Sequence, residues 1–274
     1  MATPTVSAVI LAHDEVHLIA GCLASVAWAD ERLVIDDLIT ERIGVLARQA
    51  GATVVGRPWP GFPAQRNAGL DLATGDWVLF VDADERVPPS LAREVRERVA
   101  SAEKIAGFWV PRRNVIAGEW VRHAGWWPDS QLRLLRRCSA RYDESGVVHE
   151  VAALDGPADT LTEPLLHLNY ATLSEFRAKQ ARYALLEART LWKRGIRPKP
   201  HSLLLQPLRE FGRRTVELGG IRQGPLGVRL GLEMALASFL TYRELLALTR
   251  EERVRGAADQ AAQRINGATV VPSP

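Results

Sequence analysis

Three apolar runs pattern the first hundred residues: Val6 to Ala12, Leu33 to Ile35 and Trp77 to Val81, each followed within two residues by acid. Apolar runs without polar alternation mark strands buried on both faces, as in a parallel sheet. Between them apolar residues recur at helical spacing, first at Leu18, Ile19, Cys22, Leu23 and Val26. A second set, Ile43, Leu46, Ala47 and Ala50, ends at Gly51, a residue type that stops helices. A further short strand is expected at Thr53-Val54-Val55, then a loop from Pro58 to Pro63 and a short helix carrying Gln65, Arg66 and Asn67. Strand and helix in alternation predict an α/β fold with a mostly parallel sheet flanked by helices.

After Gly107 the alternation stops. Phe108 to Arg113, Glu119 to Val121, Gln131 to Arg137 and Val147 to Glu150 read as sheet segments among loops rich in tryptophan. From Leu173 to Arg194 the pattern turns helical, and it stays so from Leu203 to Leu248 with breaks at Gly219-Gly220 and Gly224-Pro225. There Leu226, Leu230, Leu232, Met234, Leu236, Phe239 and Leu240 form an apolar face interrupted by Arg229 and Glu233. That face is too polar to span a bilayer but suits a membrane interface, and packing on the rest of the chain or on a second subunit explains it equally well. The expected division is a catalytic domain over 1–170, with a nucleotide-sugar part at 1–106 and an acceptor side at 107–170. A helical, membrane-surface region over 171–255 and a flexible tail over 256–274 follow.

Composition narrows the class. With 274 residues, 47% hydrophobic and 24% charged, the chain is sized for one core plus an appendage. A net charge of +3 implies no strong global field, but arginine is dense after Arg112 and through the C-terminal third, where phosphates or anionic lipid headgroups would meet it. Nucleic acid is not required to explain this. Two cysteines, Cys22 and Cys138, form no disulfide framework, which suits a reducing cytosol. No leader-like or bilayer-spanning segment is evident, so the expected location is the cytoplasm, at the inner face of the membrane.

The chemistry lies in the acids that end the strands. Asp14, Asp36 and Asp82 each follow an apolar run, and Asp84 lies two residues beyond Asp82. In extended backbone Asp82 and Asp84 project to one side and repel each other unless a cation lies between them. One or two carboxylates with phosphate oxygens and water are the usual shell of Mg²⁺ on a nucleotide. A solvated acidic turn before a helix near Pro88 is the plainer explanation of the same residues. Neither a Gly-x-Gly-x-x-Gly nor a Gly-Lys-Ser/Thr loop is present, so metal and arginine must meet any phosphate.

Ile10 to Glu15, Trp28-Ala29-Asp30-Glu31, Val34-Ile35-Asp36, Arg57-Pro58-Trp59, Gln65-Arg66-Asn67 and Val81-Asp82-Ala83-Asp84-Glu85 together resemble family 2 glycosyltransferases. Trp127-Pro128-Asp129, Gln131-Leu132-Arg133-Leu134 and Val148-His149-Glu150 extend the likeness toward bacterial lipopolysaccharide inner-core β-1,4-glucosyltransferases. The resemblance implies a GT-A fold, a nucleotide-diphosphate sugar donor, a glycan or lipid-linked glycan acceptor, Mg²⁺ or Mn²⁺, and inversion at the anomeric carbon. It implies that Asp14 or Glu15 borders the nucleotide, Asp36 bonds the base, Gln65, Arg66 and Asn67 line the donor site, and Asp82 lies near the ribose. Asp84 would reach the metal, with His149 as a further ligand, and Glu150 would be the general base with Asp129 as its rival. Arg133 or Arg136 would help neutralise the departing diphosphate.

One stretch departs from the family's pattern. A small glycine- and serine-containing turn usually follows the second acidic strand end, whereas Asp37-Leu38-Ile39-Thr40 stands here. Bulky side chains resist positive φ and keep backbone at a distance, so a reshaped base-binding loop is expected. Two alternatives stay open at this point: a sugar-nucleotide nucleotidyltransferase, and a membrane-surface module without turnover.

Overall fold

A computed structural model of the chain describes residues 3–37, 41–144 and 151–267, with side chains to 256. Its elements are β1 (Val6–Ala12), α1 (Ile19–Ser25), β2 (Glu31–Asp36), α2 (Glu41–Gln49), β3 (Thr53–Gly56), α3 (Phe62–Leu72), β4 (Trp77–Asp82), β5 (Glu85–Arg86) and α4 (Pro89–Ser101). There follow β6 (Gly107–Ile116), β7 (Glu119–Trp120), β8 (Ser130–Arg136), β9 (Ala140–Arg141), β10 (Ala153–Leu154), β11 (Ala158–Thr160) and β12 (Leu165–Tyr170). Three long helices close the chain: α5 (Leu173–Lys193), α6 (Ser202–Gly212) and α7 (Pro225–Gly267).

Two compact units result. One comprises the residues up to Arg122 with Trp126–Asn169, the other His123–Gly125 with the residues from Tyr170 onward. In the first, the main sheet runs β3-β2-β1-β4-β8-β6-β12-β5. Its β3-β2-β1-β4 half is parallel, as the strand–helix alternation requires, whereas β8 joins β4 antiparallel and β6 joins β8 antiparallel. The sheet is therefore mixed.

Burial on both faces explains the unbroken apolar runs. Along β1, Ala8, Ile10 and Ala12 join the core shared with α1, α2 and α4, while Val9 and Leu11 join the core beneath α3. Cys22 belongs to the first of these, as its helical spacing implied. On the other face, a Cβ at Gly69 of α3 would lie 2.8 Å from Val9 Cγ1 and 2.9 Å from Phe80 Cε1. Only glycine lets α3 sit this close, and that approach sets the height of Gln65, Arg66 and Asn67 over the sheet.

In the second unit, Thr172 caps α5 by accepting from the Glu175 amide, and Glu175 reaches back to the Ala171 amide. These reciprocal bonds satisfy two otherwise orphaned donors at the helix start. Glu233 of α7 is buried and held by Arg177 of α5. The face expected on 226–240 is divided: Leu230 is fully buried, whereas Leu232 and Leu236 are exposed. The helix also continues to Gly267, into the stretch where a flexible tail was expected from residue 256. Among the described residues no helix is long and apolar enough to cross a membrane.

Candidate functional site

The four parallel strands end in a row. Ala12 pairs with Asp36, Asp36 with Gly56, and Leu11 with Asp82, so the carboxyl ends of β1 to β4 share one edge of the sheet. Asp36 and Asp82 stand on opposite sides of β1, roughly 10 Å apart by two strand spacings. In open α/β sheets this edge is where ligands bind.

Asp36 is buried there and Asp14 and Glu15 lie on the loop after β1, Asp14 exposed and Glu15 holding the His13 amide. His13 also contacts the Asp37 carboxylate through Nδ1. The His13 ring lies 6.2 Å from that of Trp59, which meets Phe62 edge-on at 4.7 Å. Trp59 and Phe62 are both partly open to solvent. Leu38, Ile39 and Thr40 lie outside the described residues, and so does the expectation about their loop.

Asp82 and Asp84 do not share a side of one extended strand. β4 ends at Asp82, and Ala83-Asp84 turn the chain into β5. The cation beside Asp82 is guanidinium. Arg133 Nη1 donates to Asp82 Oδ1 at 3.1 Å, Nη2 contacts Oδ2, and Arg66 Nη2 lies 3.6 Å from Oδ1. Burial alone would raise the Asp82 pKa, but these charges outweigh it and hold the carboxyl well below its ordinary range. The same pairing holds Arg133 firmly protonated against its burial.

Glu85, with no exposed surface, continues the frame. It accepts from the Asp82 amide at 2.9 Å, from Arg133 at 3.2 Å and from Arg112 at 3.4 Å. Arg112 then grips Asp129 through Nε at 3.0 Å and Nη2 at 2.7 Å, while Asn114 and Gln131 donate to the same carboxylate. For Asp129 burial would raise the pKa, yet Arg112 and the two amides bring it below its ordinary value. Arg136 is not part of this frame. Antiparallel β8 sets it opposite Trp77, at the far end of β4, where it bonds the Ala102 and Ile105 carbonyls.

Asp84 has a different partner. β5 pairs with β12, bringing His167 opposite Glu85, and the Leu168 amide bonds the Asp84 carbonyl at 2.9 Å. His167 Nε2 then lies 3.3 Å from Asp84 Oδ2, and its Nδ1 lies 2.7 Å from Asn114 Oδ1. The Asn114 amide group donates to the Trp126 carbonyl and to Asp129, which fixes its oxygen as the acceptor toward His167. A neutral His167 therefore carries its proton on Nδ1 and turns an Nε2 lone pair toward the Asp84 carboxylate. Two acceptors so close need a shared proton or a cation between them. Among the described residues no group of three His, Cys, Asp or Glu side chains is placed to hold a metal. The Asp84–His167 pair fits one nevertheless, because a nucleotide's phosphate oxygens and water commonly complete such a shell.

The residues of α3 lie deeper than a simple lining would. Gln65, Arg66 and Asn67 are all buried. Asn67 exchanges hydrogen bonds with the Tyr142 backbone at 2.9 Å each way and donates to Glu144 at 2.6 Å, so it anchors the chain leading into 145–150. Arg66 packs over Phe80 and Tyr142, and its Nε and Nη1, like Gln65 Oε1, have no hydrogen-bond partner among the described residues. His149 and Glu150 lie outside the described residues.

Sequence reasoning missed His167, Asn114, Glu85 and Arg112. A lone histidine in Leu165–Tyr170 has no local signal, since what matters about it lies across 83 residues of chain. Arg112 and Glu85 were visible only as members of charged clusters.

Comparison with known proteins follows this geometry. Residues 7–153 match the family described as glycosyl transferase family 2. The lipopolysaccharide core biosynthesis glycosyltransferase LpsC of Rhizobium meliloti is 29% identical over 250 residues, spanning 87% of this chain and 91% of that one. An uncharacterized glycosyltransferase of Rickettsia bellii is 24% identical over 215 residues, 72% and 70% of the two chains. Among solved structures, the mannosyltransferase PcManGT of Pyrobaculum calidifontis, in complex with GDP-Man and Mn²⁺, superimposes with a TM-score of 0.50 at 14% identity. That likeness covers 90% of this chain and 88% of the other, and concerns the fold. None of these matches favours nucleotidyl transfer or a module without turnover.

Proposed function

The chain belongs to glycosyl transferase family 2, with the GT-A-like fold that its residues resemble, and from that premise we propose its reaction. A sugar moves from a nucleoside-diphosphate donor to a hydroxyl of a glycan or lipid-linked glycan, with inversion at the anomeric carbon. The acceptor oxygen bonds that carbon as the carbon–oxygen bond to the diphosphate breaks, and the hydroxyl proton passes to a carboxylate. The observation that carries this reading is the Asp84–His167 pair beside Asp82 and Glu85, two acids whose charges arginine already meets.

Asp84 and His167 would hold the divalent cation, with His149 as a rival ligand. When bound, the cation offsets the charge of the departing diphosphate, and we favour Mn²⁺ over Mg²⁺ because one ligand is an imidazole nitrogen rather than oxygen. Arg133 is engaged by Asp82 and Glu85, so its role is to hold Asp82 still rather than to meet phosphate. Arg66, with two unpartnered nitrogens among the described residues, is the better candidate for donor contact, and Gln65 lies beside it. Asp36 would bond the base, with Asp14 and Glu15 bordering it and the His13 and Trp59 rings offering flat faces to it. Asp129 has both oxygens occupied by donors, which supports Glu150 as the base. The likeness to the Rhizobium meliloti enzyme supports an acceptor of the lipopolysaccharide-core glycan kind; that the acceptor is met at the cytoplasmic membrane surface is part of the same proposal.

Incubating the protein with Mn²⁺ and a panel of nucleotide sugars tests this. Release of free sugar, or of glycosylated acceptor, together with nucleoside diphosphate is the expected result. Pyrophosphate as product, or no turnover of any donor, would overturn it.

A further inference from the structure

The unit built from α5, α6 and α7 carries side chains for which sugar transfer has no use. On α6, Leu204, Leu205 and Leu208 share one side of the helix axis and are 70%, 57% and 67% exposed. None of the helix's residues is fully buried. Val216, in the turn that continues α6, and Ile221 beyond it are exposed to a similar degree. A single exposed leucine is ordinary, but large apolar side chains gathered in one short stretch mark a surface that is covered in use.

Charge identifies the cover. Residues 193–229 hold nine lysines and arginines against two acids, Glu210 and Glu217. Glu210 is already paired with Arg213 and Arg214. Lys193, Arg194, Lys199, Arg209 and Arg222 remain exposed to solvent. A second copy of this surface would set like charges against each other. An anionic bilayer would instead accept the leucines beneath its headgroups and leave the cations among the phosphates. We propose that α6 and the turn after it seat the chain on an anionic membrane surface. The proposal deepens the reading of a lipid-linked acceptor, and it is measured apart from turnover so that either can fail alone.

The test is co-sedimentation of the full chain with vesicles of phosphatidylcholine alone and of phosphatidylcholine with about one-third phosphatidylglycerol. Binding to the anionic vesicles is expected to be at least about tenfold tighter than to neutral ones and to weaken as salt rises. Leu204→Gln with Leu208→Gln, and separately Arg209→Glu with Arg222→Glu, should each weaken it about tenfold or more, with circular dichroism and hydrolysis of soluble donor unchanged. Absent or charge-independent binding of the wild type would overturn the proposal, as would full binding by both double variants. A leucine double variant that loses self-association while keeping lipid binding would assign the face to a second copy instead.

Discussion

The guanidinium of Arg133 faces the Asp82 carboxylate with both of its terminal nitrogens, and one of them also reaches Glu85 at 3.2 Å. The three groups form one ionic cluster at the end of β4, with Arg133 and Glu85 withdrawn from solvent. Removing the central cation would leave two carboxylates facing each other. We expect Arg133→Met to lower stability by about 3 kcal/mol, read as a fall in the urea midpoint, because buried Glu85 would keep only Arg112 at 3.4 Å and Asp82 only Arg66 at 3.6 Å. Arg133→Lys should recover only part of the loss, since an ammonium cannot bridge both acids with a planar fork.

Asp129 gives the acid limb of stability its sign. Its folded pKa lies below the ordinary 3.8, because Arg112 and the amides of Asn114 and Gln131 outweigh the effect of burial. A carboxylate depressed in the folded state stabilises fully above its unfolded pKa and loses that contribution as pH falls through the folded value. Urea midpoints should therefore hold from about pH 7 to about pH 5 and drop below about pH 4. In Asp129→Asn the protein should be weaker at neutral pH, and its disadvantage should shrink as the wild type is acidified.

Glu150→Gln should reduce turnover by roughly two to four powers of ten while sparing donor affinity, the pattern of a lost general base. Single-turnover rates and donor titration separate the two quantities. Unchanged turnover in this variant, with collapse in Asp129→Asn at matched folding, would transfer the role to Asp129.

His167→Ala should raise the Mn²⁺ concentration needed for half-maximal donor hydrolysis about 10–100-fold, with His149→Ala serving as the comparison. Asn114→Ala should act in the same direction more weakly, because it removes the oxygen that accepts from His167 Nδ1–H and fixes the ring. A larger effect at His149 would exchange the two assignments.

What could be read from the residues follows from how local each signal is. β1, β2 and β4 were legible because burial on both sheet faces leaves a continuous apolar run. Gly51, at φ +74, ended α2 where its residue type implied. β8 running against β4 was not legible, since a strand's direction relative to its neighbour is set by connections rather than by its own pattern. The acids at the strand ends were evident as a group, but their partners were not. Arg133 is 51 residues from Asp82, and His167 is 83 residues from Asp84. The exposed leucines of α6 were hidden for the converse reason: Leu203-Leu204-Leu205 reads like core until its neighbours are known.

Binding of a nucleoside diphosphate with and without Mn²⁺, by calorimetry on the wild type and on Asp84→Asn, tests the central claim most directly. We expect Mn²⁺ to tighten wild-type binding of at least one nucleoside diphosphate tenfold or more, and Asp84→Asn to abolish that gain, in line with a metal held by one carboxylate and the ligand's phosphates. Equal affinity with and without Mn²⁺ in the wild type, or a gain that survives in Asp84→Asn, would contradict it.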